Sequence, residues 1–89
     1  MNNRYRIVIR QSAERDLRNL RDPIREHINA AIRNLAEDPF PQGVKKMHGY
    51  EDFYRIRIGR YRVVYSVNKG VLIITVVKVG HRKDAYRRF

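Results

Sequence analysis

The carboxy-terminal half of the chain alternates apolar and polar residues with a period of two, which is typical of strands that bury one face. The alternation runs through three segments, residues 53–58, 61–67 and 71–79. Between them lie Gly59-Arg60 and Asn68-Lys69-Gly70, which have the composition of tight hairpin loops. The pattern therefore predicts an antiparallel meander of three strands, with Gly70 in a left-handed conformation.

The amino-terminal half has the pattern of one strand followed by a helical hairpin. Residues 4–10 alternate like a half-buried strand. Ser12 is the predicted N-cap of a first helix that runs through Leu20. Asp22 is the predicted N-cap of a second helix with Pro23 in its first position, and Asp38 before a proline ends it.

The second helix carries an apolar stripe that must cover another apolar surface: Ile24, Ile28, Ala31, Ile32 and Leu35. Residues 39–50 form an irregular connection with two prolines and two glycines. We expect one α+β domain over residues 1–89. It has a mostly antiparallel sheet, an N-terminal strand, a two-helix hairpin packed on one face, and a short basic segment at the carboxy terminus.

Positive charge is concentrated in residues 53–89, which contain ten lysines and arginines and a single acid, Asp84. The whole chain carries a net charge of +11. Such a concentration of one sign is tolerated most easily when an anion binds there. The distribution favours nucleic-acid phosphate as the partner.

The predicted register of the first hairpin brings arginines together. A two-residue loop at 59–60 places Arg57 opposite Arg62 and Arg55 opposite Val64, with all three arginines on one face. Like charges in direct opposition cost about 0.2–1 kcal/mol per pair. A phosphate removes this cost, because arginine binds its oxygens with paired, charge-assisted hydrogen bonds.

The same counting through the second loop pairs Val67 with Val71 and Arg62 with Val76, and it puts Lys78 on the face of Arg62. It also predicts an exposed apolar strip beside the arginines, made of Val64, Leu72, Ile74 and Val76. An exposed apolar patch of this kind suits a protein partner.

Several classes of site are excluded by composition. The chain has no cysteine, so it contains neither a disulfide nor a thiolate metal site. Residues 53–89 contain no paired carboxylates and no cluster of acids and histidines at metal-ligand spacing. A membrane span needs about 18 consecutive apolar residues, and no stretch of the chain approaches that length. The amino-terminal segment carries charges within its short apolar run, so it is not expected to be a signal peptide. We expect a cytoplasmic protein without a membrane partner, metal or other cofactor.

Four short motifs in this order resemble the RelE/ParE superfamily of toxins from toxin–antitoxin pairs, and specifically its RelE branch. They are Met47-His48-Gly49, Tyr54-Arg55-Ile56-Arg57, Tyr61-Arg62-Val63-Val64-Tyr65, and Val79-Gly80-His81-Arg82 with Tyr86 shortly after. The resemblance implies a toxin that enters the ribosomal A site and cuts mRNA without a metal. In that reaction the 2′-hydroxyl attacks the adjacent phosphate.

The resemblance also implies roles for individual residues. Arg55 and Arg57 match two basic residues of the catalytic strand, and Arg62 matches the arginine that holds the phosphate. Arg82 matches an arginine that helps the leaving oxygen, and Tyr86 a tyrosine that stacks on a base. Better-known members carry lysine where this strand has arginine, so the expected proton acceptor is His81, with Tyr86 as the second candidate.

Contacts to the RNA backbone are expected from six further cations: Lys45, Lys46, Lys78, Lys83, Arg87 and Arg88. The resemblance implies an acidic, RelB-like antitoxin that binds a monomeric toxin within a hetero-oligomer, besides the ribosome and mRNA. The alternative is a ParE-like toxin that binds DNA gyrase and has no nuclease activity. A third possibility is a nucleic-acid-binding module that is not a toxin.

Overall fold

The chain folds as one layer of helices on one layer of sheet. The computed structural model describes residues 4–81. In chain order the elements are β1 (Arg6–Ile9), α1 (Gln11–Arg18), α2 (Ile24–Asn34), β2 (Lys45–Lys46), β3 (Phe53–Ile58), β4 (Tyr61–Asn68) and β5 (Ile73–His81). The strands form one sheet in the order β1-β5-β4-β3-β2, in which only the β1–β5 pair is parallel within the described range. The predicted α+β architecture is confirmed.

The core lies between the two helices and one face of the sheet, which we call the helix face. The helices contribute Ala13, Leu17, Ile28, Ile32 and Leu35, and the strands contribute Ile56, Val63, Tyr65, Val67, Ile74, Val76 and Val79. The predicted apolar stripe of the second helix is confirmed at Ile28, Ile32 and Leu35, which are buried, whereas Ile24 at the start of α2 is 40% exposed. The opposite face of the sheet, on which Arg57 and Arg62 lie, is called the basic face below.

Tyr65 is the largest side chain that is fully buried in the described core. Its hydroxyl donates a hydrogen bond of 2.7 Å to the carbonyl oxygen of Pro39. Burial, followed by the negative charge of Asp38, raises the pKa of Tyr65 well above its ordinary value. The bond fixes the connection between α2 and β2 to the centre of the sheet.

Both predicted helix starts were wrong in detail. The N-cap of α1 is Arg10, and Ser12 lies in the first turn, where its hydroxyl donates to the carbonyl oxygen of Val77 at 3.0 Å. The N-cap of α2 is Pro23, and Asp22 instead pairs with Arg25 at 3.1 Å. The Ser12 side chain thus contacts β5, and the Asp22 side chain contacts a side chain in the first turn of α2, so neither one caps a helix.

The first hairpin has the predicted register, with Ile58 opposite Tyr61, but the second does not. Val67 lies opposite Ile74 instead of Val71, because the loop extends through Leu72. Leu72, and not Gly70, has the left-handed conformation, with φ of 58°. Asn68 stabilises this loop by accepting hydrogen bonds from the backbone of Gly70 and Val71.

The shift of three residues reverses the faces of the first half of β5. Ile74 and Val76 therefore lie in the core and are fully buried, and Val64 is also fully buried. The predicted exposed apolar strip was wrong. A β-bulge follows, in which β5 has one extra residue opposite the Val64–Tyr65 step of β4. Lys78 therefore lies opposite Val64 and on the basic face, as predicted.

Candidate nucleic-acid interface

Arg57 and Arg62 form the centre of the basic face. They are directly opposite each other in the β3–β4 register, and the two-residue loop that sets this register has Gly59 at φ of 60°. Arg57 is exposed and Arg62 is half-buried. The Cβ atoms of directly opposite residues are about 4.5–5.5 Å apart, so both guanidinium groups can reach one phosphate.

Two further cations extend this face toward the edge of the sheet. Arg55 is two residues before Arg57 on the same strand and therefore shares its face. Lys45 lies opposite Arg55, because the chain forms the short strand β2 where an irregular connection was expected. The structure thus places Lys45 beside the arginines, which the sequence analysis did not predict.

A groove of about 760 Å³ borders these cations along residues 55–58 of β3. It exists because β2 pairs only with Tyr54 and Arg55 and leaves residues 56–58 of β3 uncovered on that side. Its walls are partly apolar and partly charged: Ala31, Leu35, Pro41, Ile56 and Ile58, with Lys45, Arg55, Arg57, Arg62 and Asp38. A groove lined by both apolar and cationic side chains suits an unstacked nucleotide, whose base is flat and whose phosphate is anionic.

His81 is not on this face. It lies opposite Tyr61, a helix-face residue, and the two rings meet edge to face with centroids 5.8 Å apart. Its neighbour Gly80 is the residue opposite Arg62. The strand alternation thus directs the His81 side chain away from the arginines, which argues against the predicted role as proton acceptor.

Lys46 and Lys78 lie apart from these cations. Lys46 lies opposite Tyr54, a helix-face residue, so its side chain starts from the other side of the sheet. Lys78 starts on the basic face, but its ammonium lies 3.5 Å from the Asp16 carboxylate of α1. Neither lysine joins the group formed by Lys45 and the three arginines.

The remaining predicted site residues lie outside the described residues: Arg82, Lys83, Tyr86, Arg87 and Arg88. Within residues 4–81, no group of three or more histidines and acids is arranged to hold a metal ion. None of the helices found between those limits is long and apolar enough to span a membrane.

Comparisons with known proteins point to one family. Residues 7–86 match the family model described as ParE toxin of type II toxin-antitoxin system. Toxin RelE3 of Methanocaldococcus jannaschii is 30% identical over 88 residues, which cover 94% of this chain and 98% of that protein. Toxin RelE of Mycobacterium tuberculosis is 27% identical over 84 residues, covering 93% of this chain and 87% of that protein.

The fold agrees with these matches. A chain of the archaeal RelE-RelB complex from Pyrococcus horikoshii OT3 is 31% identical to this chain and superposes with a TM-score of 0.80. The superposition covers 96% of this chain and 100% of that one. This protein therefore belongs to the RelE/ParE superfamily of toxins from type II toxin–antitoxin systems, and it is RelE-like.

Proposed function

We propose that this toxin is a ribosome-dependent endoribonuclease that cuts mRNA in the A site. The observation that carries the proposal is the opposition of Arg57 and Arg62, with Arg55 and Lys45 on the same face. Four cations in adjacent register positions concentrate positive charge on one face of the sheet. They become favourable when phosphates of a single strand lie across them.

The reaction that fits this face is an internal transesterification. The 2′-hydroxyl oxygen forms a bond to the adjacent phosphorus, and the bond from phosphorus to the 5′-oxygen of the next nucleotide breaks. The products are a 2′,3′-cyclic phosphate and a 5′-hydroxyl. Negative charge grows on the non-bridging oxygens in the transition state, and Arg57 and Arg62 would donate hydrogen bonds to them.

The other residues have supporting roles in this proposal. Arg55 and Lys45 hold the flanking phosphate, and the apolar side chains that line the groove receive a base. By resemblance, Arg82 assists the leaving oxygen and Tyr86 stacks on the nucleotide. The proposal assigns no proton transfer to His81, so most of the rate enhancement comes from charge stabilisation and positioning.

The proposed partner that silences the toxin is an antitoxin of the RelB type. The Pyrococcus horikoshii relative was crystallised as a RelE-RelB complex. The basic face of this chain favours an acidic antitoxin segment, since it would neutralise the clustered cations. The proposed place of action is the cytoplasm, where ribosomes carry out translation.

A second candidate function is inhibition of DNA gyrase, because the matching family model is described by the ParE toxin. One experiment separates the two. The purified toxin is added to a translation extract and, in parallel, to a gyrase supercoiling reaction. Cleaved message with normal supercoiling supports the nuclease, whereas intact message with blocked supercoiling supports the gyrase inhibitor and refutes the nuclease.

A further inference from the structure

Helix α1 continues the path of β1 along the edge of β5. β1 pairs with only the first part of β5, from Ile73 to Val76, although β5 extends to His81. The last bond of this ladder runs from the backbone N–H of Arg10 to the carbonyl oxygen of Val76 at 2.9 Å. Beyond that point the neighbour of β5 is α1, which begins at Gln11.

Two side chains of α1 continue the ladder. The Ser12 hydroxyl donates to the carbonyl oxygen of Val77 at 3.0 Å, and an Asp16 carboxylate oxygen accepts from the backbone N–H of Val79 at 3.0 Å. Four residues of helix rise about 6 Å, and two residues of strand rise about 6.6 Å, so the two spacings match. A helix running along the strand edge can therefore replace a strand in satisfying its backbone groups.

The β-bulge makes this arrangement possible. In a regular strand, the carbonyls of successive residues point to opposite edges, yet Val76 and Val77 both direct their oxygens toward β1 and α1. The bulge opposite Val64 and Tyr65 accounts for this turn of the backbone. It brings Val77 and Val79 into reach of α1.

Asp16 holds this part of β5 in a second way. Its carboxylate lies 3.5 Å from the Lys78 ammonium, and the two side chains are only 21% and 30% exposed. One carboxylate thus binds both the backbone and a side chain of consecutive residues. The pair also turns the Lys78 charge toward α1, away from the arginines.

We propose that Asp16 is a positioning residue for the basic face, acting through residues 77–81 of β5. This segment puts Gly80 opposite Arg62, so its position determines which backbone lies next to Arg62. It also ends one residue before Arg82 and therefore determines where the chain toward Arg82 begins. The inference rests on the proposed nuclease function for its effect on cleavage. The role as hydrogen-bond acceptor for Val79, and not the charge of Asp16, is the essential one.

Three substitutions separate acceptor from charge. Asp16→Asn keeps an acceptor oxygen in place and removes the charge. Asp16→Glu keeps the charge but moves the oxygens by one methylene, and Asp16→Ala removes both. Glu14→Ala is the matched control, because it removes a carboxylate from an exposed position on the same helix.

Two measurements are made on each full-length protein, at a temperature below the range in which that protein unfolds. Amide hydrogen exchange is read at Val79, Gly80 and His81, with Ile56 of β3 as internal reference. Single-turnover cleavage of mRNA on the ribosome is read per folded molecule. We expect Asp16→Glu and Asp16→Ala to accelerate exchange at Val79 by at least about tenfold and to slow cleavage by a similar factor. Glu14→Ala stays within about twofold of wild type in both measurements. Asp16→Asn keeps the acceptor as a weaker, neutral one, so its losses are smaller than those of Asp16→Glu and Asp16→Ala in both.

Several results overturn the inference. If Asp16→Glu behaves like wild type while Asp16→Asn fails, the charge and not the acceptor matters. If exchange accelerates and cleavage does not slow, Asp16 is merely structural. Should Asp16→Ala fail to fold, the Asn and Glu variants still decide between these results. If wild type cuts no message, the proposed function fails, and the exchange data alone decide whether Asp16 holds β5.

Discussion

Arg57 lies directly opposite Arg62 across the β3–β4 hairpin, on the face of the sheet opposite the helix face. The register is fixed by the tight loop at Gly59 and by the core residues Ile56 and Val63, which are opposite each other on the helix face. The core therefore holds the two cations together whether or not an anion is present. A substitution that removes one of the two cations should therefore raise the free energy of unfolding and lower the cleavage rate, and both effects can be measured.

Arg57→Glu is expected to stabilise the free protein and to inactivate it. The substitution replaces a repulsive cross-strand pair by an attractive one, which raises the free energy of unfolding by about 0.2–1 kcal/mol. It also removes a donor to the phosphate, so cleavage falls at least about tenfold. Urea unfolding and an mRNA cleavage assay measure the two effects. Arg33→Glu, at an exposed position of α2, is the matched charge reversal, and equal effects from both substitutions would contradict the pairing argument.

Lys45→Ala is expected to weaken RNA binding and its dependence on salt. Lys45 is exposed and lies opposite Arg55 on the basic face. Loss of one phosphate contact lowers the slope of log affinity against log salt by about 0.7 for single-stranded RNA. Lys46→Ala is the matched control, because it removes the same charge from the same strand but from the other face. Indistinguishable slopes for the two variants would show that the faces are assigned incorrectly.

His81→Gln is expected to leave cleavage within about threefold of wild type, because the ring packs on Tyr61 on the helix face. The dependence of the cleavage rate on pH should also keep its shape through the neutral range, where histidines titrate. The cleavage rates of wild type and variant, measured from about pH 5 to about pH 9, check both properties, because this range covers the ordinary pKa of histidine. Disappearance of a neutral-range step in the variant would restore His81 as the proton acceptor.

Tyr65→Phe is expected to destabilise the protein at neutral pH by about 0.5–1.5 kcal/mol, because the hydrogen bond to Pro39 is lost. Burial raises the pKa of the Tyr65 hydroxyl in the folded state, so its contribution to stability is complete below the ordinary tyrosine pKa of about 10. That contribution declines as pH rises above this value, since the unfolded chain ionises first. Chemical unfolding at several alkaline pH values should show the gap between variant and wild type narrowing. A constant gap would contradict the role given to the buried hydroxyl.

The first hairpin shows how much of the site the sequence could predict. Gly59-Arg60 is a strong local turn signal, and the alternation on both sides leaves only one register that buries Ile56 and Val63 together. The opposition of Arg57 and Arg62 follows from that register alone. No tertiary information was needed to place these two residues on one face.

The second hairpin shows where sequence reasoning failed. A leucine in the left-handed conformation is uncommon, so the longer loop ending at Leu72 has no clear sequence signal. The longer loop shifts β5 by three residues, so the face of Ile74 and Val76 was predicted incorrectly. The bulge beyond Val76 and the two-residue strand that carries Lys45 also have no signal in the local alternation.

We propose that Arg57 and Arg62 act together in mRNA cleavage, and single-turnover cleavage on the ribosome measures that action. Wild type, Arg57→Ala and Arg62→Ala are compared at equal concentrations of folded protein, with cleavage sites mapped by primer extension. We expect cuts within the A-site codon by wild type and a loss of at least about tenfold in rate for each variant. Cleavage at the wild-type rate by both variants, or intact message with the wild-type toxin, would contradict the account.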